Sequence, residues 1–546
     1  ITVGLHERTG SVVDRLAGEG HIVRVHDSVD KADQHPLGKQ RGLALGYGLG
    51  QFALLLWRYV ELPMLRGAPG RALNATVLVA AAALAVYFLG NTAEWQNSIR
   101  VRVGMEPVDA THPVNVAAIA VAVFVPLWIL GWAFQLLLDT LRHQLRRLIP
   151  VRLANLLGLV LAAYAAWALI DGFLVQRFLA LADDVYGEAE ALFEPEIARP
   201  DDPLKAGSPV SLVDWRAMGR WGRRFVATGP DAEAIAAFTG APAEQPIRIY
   251  VGRNAADTPA ERTEIAFAEM LRTGAFERRV LLIAIPVGSG WLDAGAHDPL
   301  EFMHGGDVAT VAVQYSHLVS WISLVFESDA GLEQAQSLFD RVYDHWKKLP
   351  PDDRPELYLH GISQGALVSM ASIDLFEMVA EPIDGAVWAG PPFGSDLWSR
   401  ATRARDPGSP YWLPVVNEGE FVRFVNQNPA SLTRGSADWG RVRAVFLQYG
   451  SDPIVFFDPL AALRRPPFMQ ASTAPDVSPQ LQWYPFVTLF QLALDMALSQ
   501  NIAPGYGHRY IAQDYIPAWV AVTRPEGWTA TDTTRLMQRF EGFDPG

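Results

Sequence analysis

Ser363 lies in a run of residues typical of a nucleophilic serine. An apolar stretch, residues 357–360, leads into Gly361-Ile362-Ser363-Gln364-Gly365, and a helix-forming segment follows at once. A serine on a sharp strand-to-helix turn needs small residues two positions away on each side, so that strand and helix can approach each other. The motif alone is weak evidence in a chain with 45 glycines, so the hypothesis depends on partners elsewhere in the sequence.

A serine hydroxyl becomes a nucleophile when a base takes its proton and a third group orients that base. Asp452 follows a predicted strand at residues 442–449, and His508 is the only histidine after His360. Serine, acid and histidine then occur in the order found in α/β-hydrolases. We predict a catalytic triad of Ser363, Asp452 and His508. Asp458 is the weaker alternative acid because it follows no strand.

The negative charge that forms when Ser363 attacks an acyl carbon needs backbone N–H donors. One predicted donor is the N–H of Gln364, directly after the nucleophile. For the second we prefer the loop after the predicted strand at 280–285, with the N–H groups of Val287, Gly288 and Ser289. The glycine-rich run at 304–306 remains the alternative, and Asp307 is then expected to cap a helix over 308–317.

Composition excludes several classes of function. The net charge of −14, without a long basic run, argues against nucleic acid as the main partner. The chain has no cysteine, which excludes thiol catalysis, disulfides and thiolate metal sites. No metal-ligand spacing and no phosphate-binding loop is evident, so we predict neither a metal nor a cofactor.

Apolar residues are concentrated in the first third of the chain. Four segments, at about 42–65, 72–90, 113–138 and 151–174, are each long enough to cross a bilayer and contain almost no charge. We therefore predict a four-helix transmembrane domain over residues 42–181, preceded by a polar arm at 1–41. The protein would then be an integral membrane protein.

Basic residues in the loops give conflicting evidence on orientation. Arg142, Arg146, Arg147 and Arg152 favour a cytoplasmic loop between the third and fourth segments, whereas basic residues before the first segment and in the second loop favour the reverse. We favour an extracytoplasmic C-terminal domain. Residues 182–245 are expected to be a linker or docking segment, in which 215–226 either docks on the next domain or lies on lipid headgroups.

From residue 246 to 546, short apolar runs alternate with amphipathic stretches, which predicts a parallel sheet covered by helices. The predicted strands are 247–251, 280–285, 321–326, 357–360, 385–389 and 442–449. The predicted helices are 260–273, 308–317, 332–349 and 511–520. Residues 394–440, rich in Trp, Pro and Gly, interrupt this alternation and are expected to form a cap over the site.

The C-terminal part of the chain resembles a bacterial family of membrane-anchored α/β-hydrolases with a helical N-terminal membrane domain. The resemblance lies in the serine motif, the Gly-His segment and the stretches at 215–226, 247–262, 288–291, 305–316, 390–393 and 451–455. That family often has an acidic residue before the serine, where this chain has Ile362. The resemblance implies an α/β-hydrolase fold, a hydrolase, and a location in the bacterial inner (plasma) membrane, but no particular substrate.

These observations together favour a membrane-tethered serine esterase or lipase-like hydrolase. Tethering brings the site to lipids at high effective concentration, so the expected partners are the bilayer and a lipid-derived or other acyl ester. Two alternatives remain open: an acyltransferase that uses the same triad, and a non-catalytic membrane module for binding or assembly. The sequence does not indicate an oligomeric state.

Overall fold

The structure is a computed structural model and describes residues 67–543 with gaps. The gaps are residues 110, 146, 148, 151–152, 154–156, 163, 165–193, 195, 319–327 and 471. The strands in the described part are β1 (Ile247–Val251), β2 (Val280–Ile285), β3 (Val308–Val313), β4 (Glu356–Ile362), β5 (Gly385–Ala389), β6 (Val422–Val425) and β7 (Arg443–Leu447).

The described strands form a single seven-stranded sheet in the order β1-β3-β2-β4-β5-β7-β6. Every neighbouring pair is parallel. β2 is buried at all six positions and contains only apolar residues, as expected for a strand covered by helices on both faces. The prediction of a parallel sheet flanked by helices is confirmed.

Helices precede, cover and connect the strands. They are α1 (Ala68–Arg100), α2 (His112–Leu145), α3 (Gly219–Thr228), α4 (Ala232–Thr239), α5 (Pro259–Thr273), α6 (Ala294–Met303), α7 (Ser328–Trp346), α8 (Gln364–Ala371), α9 (Leu375–Ala380), α10 (Asp396–Arg403), α11 (Pro453–Phe456), α12 (Val487–Ala497), α13 (Ala512–Thr523) and α14 (Ala530–Arg539). Short 3-10 turns lie at Arg253–Ala255, Ala275–Glu277, Asn417–Gly419, Pro429–Thr433, Pro459–Ala462 and Pro467–Met469.

Local sequence sets the helix boundaries where capping groups are present. Thr258 and Glu261 form a reciprocal capping box at the start of α5, and Gly274 ends that helix in the left-handed conformation. The predicted helices at 260–273, 332–349 and 511–520 correspond to α5, α7 and α13.

The prediction of a helix over residues 308–317 is wrong, because Val308–Val313 is the buried strand β3. A short apolar run has no decisive period, and the β-branched residues in Val-Ala-Thr-Val-Ala-Val favour a strand. Asp307 consequently caps no helix, and its Oδ1 accepts a hydrogen bond of 3.0 Å from the backbone N–H of Arg279. The predicted strand at 321–326 lies outside the described residues.

The stretch at 394–440 contains a strand as well as irregular structure. β6 pairs in parallel with β7 and forms one edge of the sheet. Part of the predicted cap is therefore sheet, and a covering role for the remainder stays a prediction.

Residues 215–226 dock on the sheet domain, which was one of the two predicted alternatives. Trp215, Met218 and Phe225 are buried in the same apolar core as the sheet, and α3 packs against β1. Arg248 on β1 donates a 2.8 Å hydrogen bond to the carbonyl oxygen of Phe225. Its guanidinium also pairs with the buried carboxylates of Asp298 and Glu301.

Two described helices are long and apolar enough to cross a membrane. They are α1 and, within α2, the part Phe124–Leu145. They coincide with the second and third predicted spans and pack against each other. The first predicted span lies outside the described residues, as does most of the fourth, so a four-helix membrane domain is not shown.

Candidate active site

Ser363 sits on the sharp turn between β4 and α8. Its backbone angles are φ 54° and ψ −126°, in a region that non-glycine residues rarely adopt. A Cβ atom on Gly361 would lie 2.4 Å from the carbonyl carbon of Gly365, and a Cβ on Gly365 would lie 2.2 Å from the carbonyl oxygen of Ile285. Both glycines are therefore required by close backbone approach, which is the steric reason predicted from the motif.

The turn places Ser363 at the edge where the parallel strands end. Its backbone N–H donates a 2.9 Å hydrogen bond to the carbonyl oxygen of Ala389, the last residue of β5. Asp452 follows β7, which is the next strand beyond β5. Because the carboxyl ends of parallel strands share one edge, Ser363 and Asp452 lie on the same side of the sheet.

The carboxylate of Asp452 is buried and accepts three hydrogen bonds. Oδ1 accepts from the backbone N–H of Ile454 at 2.9 Å. Oδ2 lies 2.7 Å from Nδ1 of His508 and 2.7 Å from the hydroxyl of Tyr510, which donates to it. These contacts hold the carboxylate in one orientation, toward the imidazole.

His508 is buried, and the arrangement determines its tautomer. An ionised carboxylate can only accept, so the Nδ1–H of His508 donates to Asp452 and the neutral ring leaves Nε2 unprotonated. Among the described residues, Nε2 of His508 is buried and has no hydrogen-bond partner. Ser363 Oγ is therefore not hydrogen-bonded to Nε2 in this structure. An unprotonated ring nitrogen is nevertheless the form that can take a proton as a general base.

Ser363 and His508 both approach the end of β5. The residue after Ala389 is Gly390, where an added Cβ would lie 2.6 Å from Cε1 of His508. Since the carbonyl of Ala389 binds the N–H of Ser363, the serine and the imidazole contact adjacent residues of one strand end. Gly390, with φ 51°, leaves the space that the imidazole occupies.

The predicted oxyanion donors occupy two neighbouring segments. Gln364 is the first residue of α8, where the helix itself does not use the backbone N–H. The carbonyl oxygens of Ile285 and Pro286 lie close to Gly365, so the loop after β2 runs beside the serine turn.

A tight turn fixes the loop after β2. The N–H of Gly290 donates to the carbonyl of Val287 at 2.7 Å, and the N–H of Val287 donates to the carbonyl of Trp291 at 3.2 Å. The donor of Val287 is therefore already used within the turn. Gly288 and Ser289, the central residues of the turn, remain the candidates from this loop.

Two side chains that the sequence interpretation missed hold this turn in place. The hydroxyl of Tyr250 donates to the carbonyl of Gly290 at 2.8 Å, and Nε2 of Gln314 donates to the carbonyl of Ser289 at 3.2 Å. Both residues come from β1 and the end of β3, which are remote in sequence. No local pattern could have shown these contacts.

The alternative glycine-rich run at 304–306 lies at the amino ends of the strands, opposite to the carboxyl ends where Ser363 lies. It directly precedes β3, so it is at the amino ends of the strands, whereas Ser363 follows the carboxyl end of β4. The N–H of Glu244 donates to the carbonyl of Gly305 at 2.8 Å, and His304 Nε2 lies 2.9 Å from the hydroxyl of Thr523. This run therefore connects elements at the end of the sheet that is remote from the serine.

The alternative acid, Asp458, is used elsewhere. Its Oδ1 accepts from the N–H of Leu460 at 2.8 Å, and its Oδ2 lies 3.6 Å from Nη2 of Arg464. His360 is buried within β4, where its Nδ1 lies 2.7 Å from the carbonyl oxygen of Val387. Burial lowers the pKa of His360 to about 4, so its imidazole stays neutral.

Tyr510 is a further residue of the site that the sequence interpretation missed, although it stands two positions after His508. Burial and the adjacent Asp452 carboxylate raise its pKa well above the ordinary value, so its hydroxyl remains a donor. The ring stacks on Tyr449 with centroids 4.4 Å apart. Tyr449 in turn donates to Asp514, whose pKa burial raises to about 7.

Comparisons with known proteins identify two matching family models. The model described as "Alpha/beta-hydrolase family" matches residues 247–536, more than half of the 546 residues. The model described as "Alpha/beta-hydrolase family N-terminus" matches residues 42–230. A search of curated protein sequences finds no match.

One similar solved structure is an acetylxylan esterase at 0.90 Å resolution. It is 9% identical, covers 41% of this chain and 99% of its own, and superposes with a TM-score of 0.21. At that TM-score the match supports no argument about activity. The family models and the parallel sheet together confirm the α/β-hydrolase fold. The chain belongs to the alpha/beta-hydrolase family.

Proposed function

We propose that this protein is a membrane-anchored serine hydrolase that cleaves acyl esters of lipid origin. The observation that carries the proposal is the 2.7 Å contact between His508 Nδ1 and Asp452 Oδ2, with His508 Nε2 unpartnered beside the strand end that also binds Ser363. The carboxylate fixes the orientation and tautomer of the imidazole, which is the role of the acid in a Ser-His-Asp triad, and the approach of Nε2 to Ser363 Oγ is part of the proposal.

In the proposed reaction, Ser363 Oγ attacks the acyl carbon of the ester while His508 Nε2 takes the hydroxyl proton. Asp452 holds the imidazole and stabilises its cation. The backbone N–H groups of Gln364, Gly288 and Ser289 are the proposed donors to the oxyanion. The tetrahedral intermediate collapses as His508 protonates the leaving alcohol, giving an ester between Ser363 and the acyl group.

Water completes the cycle. His508 takes a proton from water as the oxygen attacks the acyl-enzyme, and it returns that proton to Ser363 as the carboxylic acid leaves. If an acceptor alcohol replaces water, the same residues carry out acyl transfer, which is the second candidate function. A non-catalytic module for binding or assembly is the third possibility, and it predicts no covalent chemistry at Ser363.

The proposed membrane domain covers residues 42–181, between the polar arm at 1–41 and the segment at 182–245. Its support is the exposure of apolar side chains on two long helices: Leu78 and Val86 of α1 are 70% and 71% exposed. Such surfaces are unfavourable in water and favourable in lipid. We place the catalytic domain, residues 246–546, on the extracytoplasmic side of a bacterial plasma membrane, on the basis of the basic cluster at 142–152.

Labelling with a fluorophosphonate tests the catalytic proposal. The wild-type protein in detergent or nanodiscs should form a covalent adduct at Ser363. Ser363→Ala should abolish the adduct, and His508→Ala should slow its formation by orders of magnitude. A folded wild-type protein that does not label would support the non-catalytic alternative instead.

Product analysis tests the substrate class and separates the two enzymatic candidates. Wild-type protein incubated with a bacterial lipid extract should release carboxylic acids that Ser363→Ala does not release. New esters on an added alcohol, with little carboxylic acid, would favour acyl transfer. Release by both proteins would show that the acids come from another source.

A further inference from the structure

The chain between Asp452 and His508 contacts the apolar helix α1. The hydroxyls of Ser98 and Ser478 lie 2.6 Å apart, and Gln480 Nε2 donates to Glu94 Oε1 at 3.2 Å. Nearer the apolar part of the helix, the ring of Tyr484 meets Phe88 edge-on at 6.4 Å. Residues 478–484 therefore follow α1 for almost three turns, from its polar end toward its apolar part.

Beside this contact the protein exposes four large apolar side chains. Leu460, Leu463, Tyr484 and Phe486 are 47%, 71%, 44% and 41% exposed. They lie in two short runs of the chain, and the N–H of Phe486 in one run donates to the carbonyl of Ala462 in the other at 3.2 Å. We call these four residues the apolar patch.

Phe486 has a backbone conformation that is unusual for a non-glycine residue. Its φ of 61° is rare for an aromatic residue, and such strain is found most often at functional sites. Trp483 Nε1 donates to the carbonyl of Ala461 at 2.7 Å and ties the two runs together from the interior side. The surrounding contacts thus hold exposed aromatic and aliphatic side chains in place, where water alone would favour burying them.

The position along α1 indicates the depth of the apolar patch. The helix is apolar up to Gly90 and then becomes polar, with Asn91, Glu94 and Asn97 in its last ten residues. Tyr87, Phe88 and Trp95 pack edge-on around this change. Aromatic residues are typical of the level where a helix leaves the hydrocarbon, and Tyr484 contacts α1 at that level.

Charge beside the apolar patch suits an anionic surface. Arg464 and Arg465 are exposed and directly follow Leu463. Arg465 also lines a recess, together with Trp412, Phe468, Ala474, Leu481 and Gly450. Gly450 is two residues before Asp452, so this recess extends from Arg465 to the loop that carries the proposed catalytic acid.

We propose that the apolar patch, with Arg464 and Arg465, is a membrane-contact surface. Its side chains enter the boundary between headgroups and acyl chains beside α1, and the arginines meet lipid phosphates. The surface holds the recess and the acid loop against the bilayer, where lipid esters are located. This inference rests on the membrane anchoring proposed above for α1.

Single-cysteine fluorescence tests this surface on the full-length protein. Because the chain has no cysteine, Leu463→Cys and Tyr484→Cys each give one labelling site for an environment-sensitive NBD probe. In nanodiscs containing anionic phospholipid, both labels should show blue-shifted emission and lose fluorescence when doxyl-labelled lipid is included. Leu271→Cys is the matched control, since Leu271 is 52% exposed on α5, which packs on β1 and β3 at the other end of the sheet from β7.

A fourth label, at Leu78→Cys in the middle of α1, separates this proposal from membrane anchoring itself. Quenching at 78 but not at 463 or 484 would overturn the membrane-contact surface while anchoring stands. No quenching at any position would overturn both. A blue shift at 463 and 484 that doxyl lipid does not quench would show burial against protein, such as a second copy, and would also overturn the proposal.

Discussion

Replacing Tyr510 with phenylalanine tests how the carboxylate of Asp452 is shared between two donors. The hydroxyl of Tyr510 and Nδ1 of His508 each lie 2.7 Å from the same oxygen, Oδ2. The raised pKa of Tyr510, caused by burial and by Asp452, keeps this hydroxyl protonated across the assay range. Tyr510→Phe removes one hydrogen bond and retains the ring, so packing changes little.

The size of the effect follows from the strength of that bond. A hydrogen bond to a charged group contributes about 1.5–3 kcal/mol. When Tyr510 no longer donates to Asp452, the bond between the carboxylate and protonated His508 becomes stronger. If it strengthens by about half of the lost hydrogen-bond energy, the protonated form of His508 is stabilised by about 1 kcal/mol. Since one pH unit corresponds to about 1.4 kcal/mol, the imidazolium should persist to a pH that is higher by roughly 0.5–1 unit. The acidic limb of the kcat/KM profile should therefore move to higher pH in Tyr510→Phe.

The assay is the pH dependence of kcat/KM for a soluble p-nitrophenyl ester, compared with a matched variant. Tyr449→Phe is the control, because the Tyr449 ring stacks on Tyr510 while its hydroxyl bonds to Asp514 and not to Asp452. The control should leave the limb in place. An unmoved limb in Tyr510→Phe, or equal shifts in both variants, would refute the assignment of Tyr510 as a positioning residue for His508.

Three further predictions concern the turn, a buried acid and the oxyanion loop. Gly365→Ala should destabilise the protein by about 1–3 kcal/mol, because its Cβ would overlap a strand carbonyl. Denaturant unfolding measures this, and Gly394→Ala is the neutral control because its Cβ would make only an ordinary 3.9 Å contact with Leu367. Burial raises the pKa of Asp514 from 3.8 to about 7, so between these values the unfolded state binds fewer protons and stability should fall as pH rises. In Asp514→Asn the free energy of unfolding should fall less steeply with pH than in the wild type. The same pH dependence in both proteins would contradict the assignment of this effect to Asp514. Tyr250→Phe should lower kcat/KM about tenfold by loosening the turn at Gly290, whereas wild-type activity would show that the turn needs no such support.

Local sequence was sufficient where one short-range requirement determines the structure. The strands at 247–251, 280–285 and 385–389 were predicted with their observed bounds, because each is an apolar run that ends at a turn residue. The two glycines around Ser363 were predicted from sterics, and the structure shows backbone contacts that explain both. Asp452 and His508, chosen from chain order, do contact each other.

Features that depend on tertiary contacts could not be predicted. The run at 308–313 is too short for its period to separate strand from helix; its β-branched residues favour a strand, and pairing between β1 and β2 makes it one. The N–H of Val287 is already hydrogen-bonded to the carbonyl of Trp291, and only the folded turn brings these two groups together. Tyr510 stands only two residues after His508, but nothing in the sequence shows that its hydroxyl reaches Asp452.

The central claim is that Ser363 becomes acylated during turnover, and intact-protein mass spectrometry tests it most directly. Wild-type protein mixed with a p-nitrophenyl ester and quenched within the first turnovers should gain the mass of one acyl group. Peptide mapping should place that group on Ser363, and Ser363→Ala should gain none. Sustained ester cleavage with the acyl group on another residue, or with the same rate in Ser363→Ala, would contradict the account.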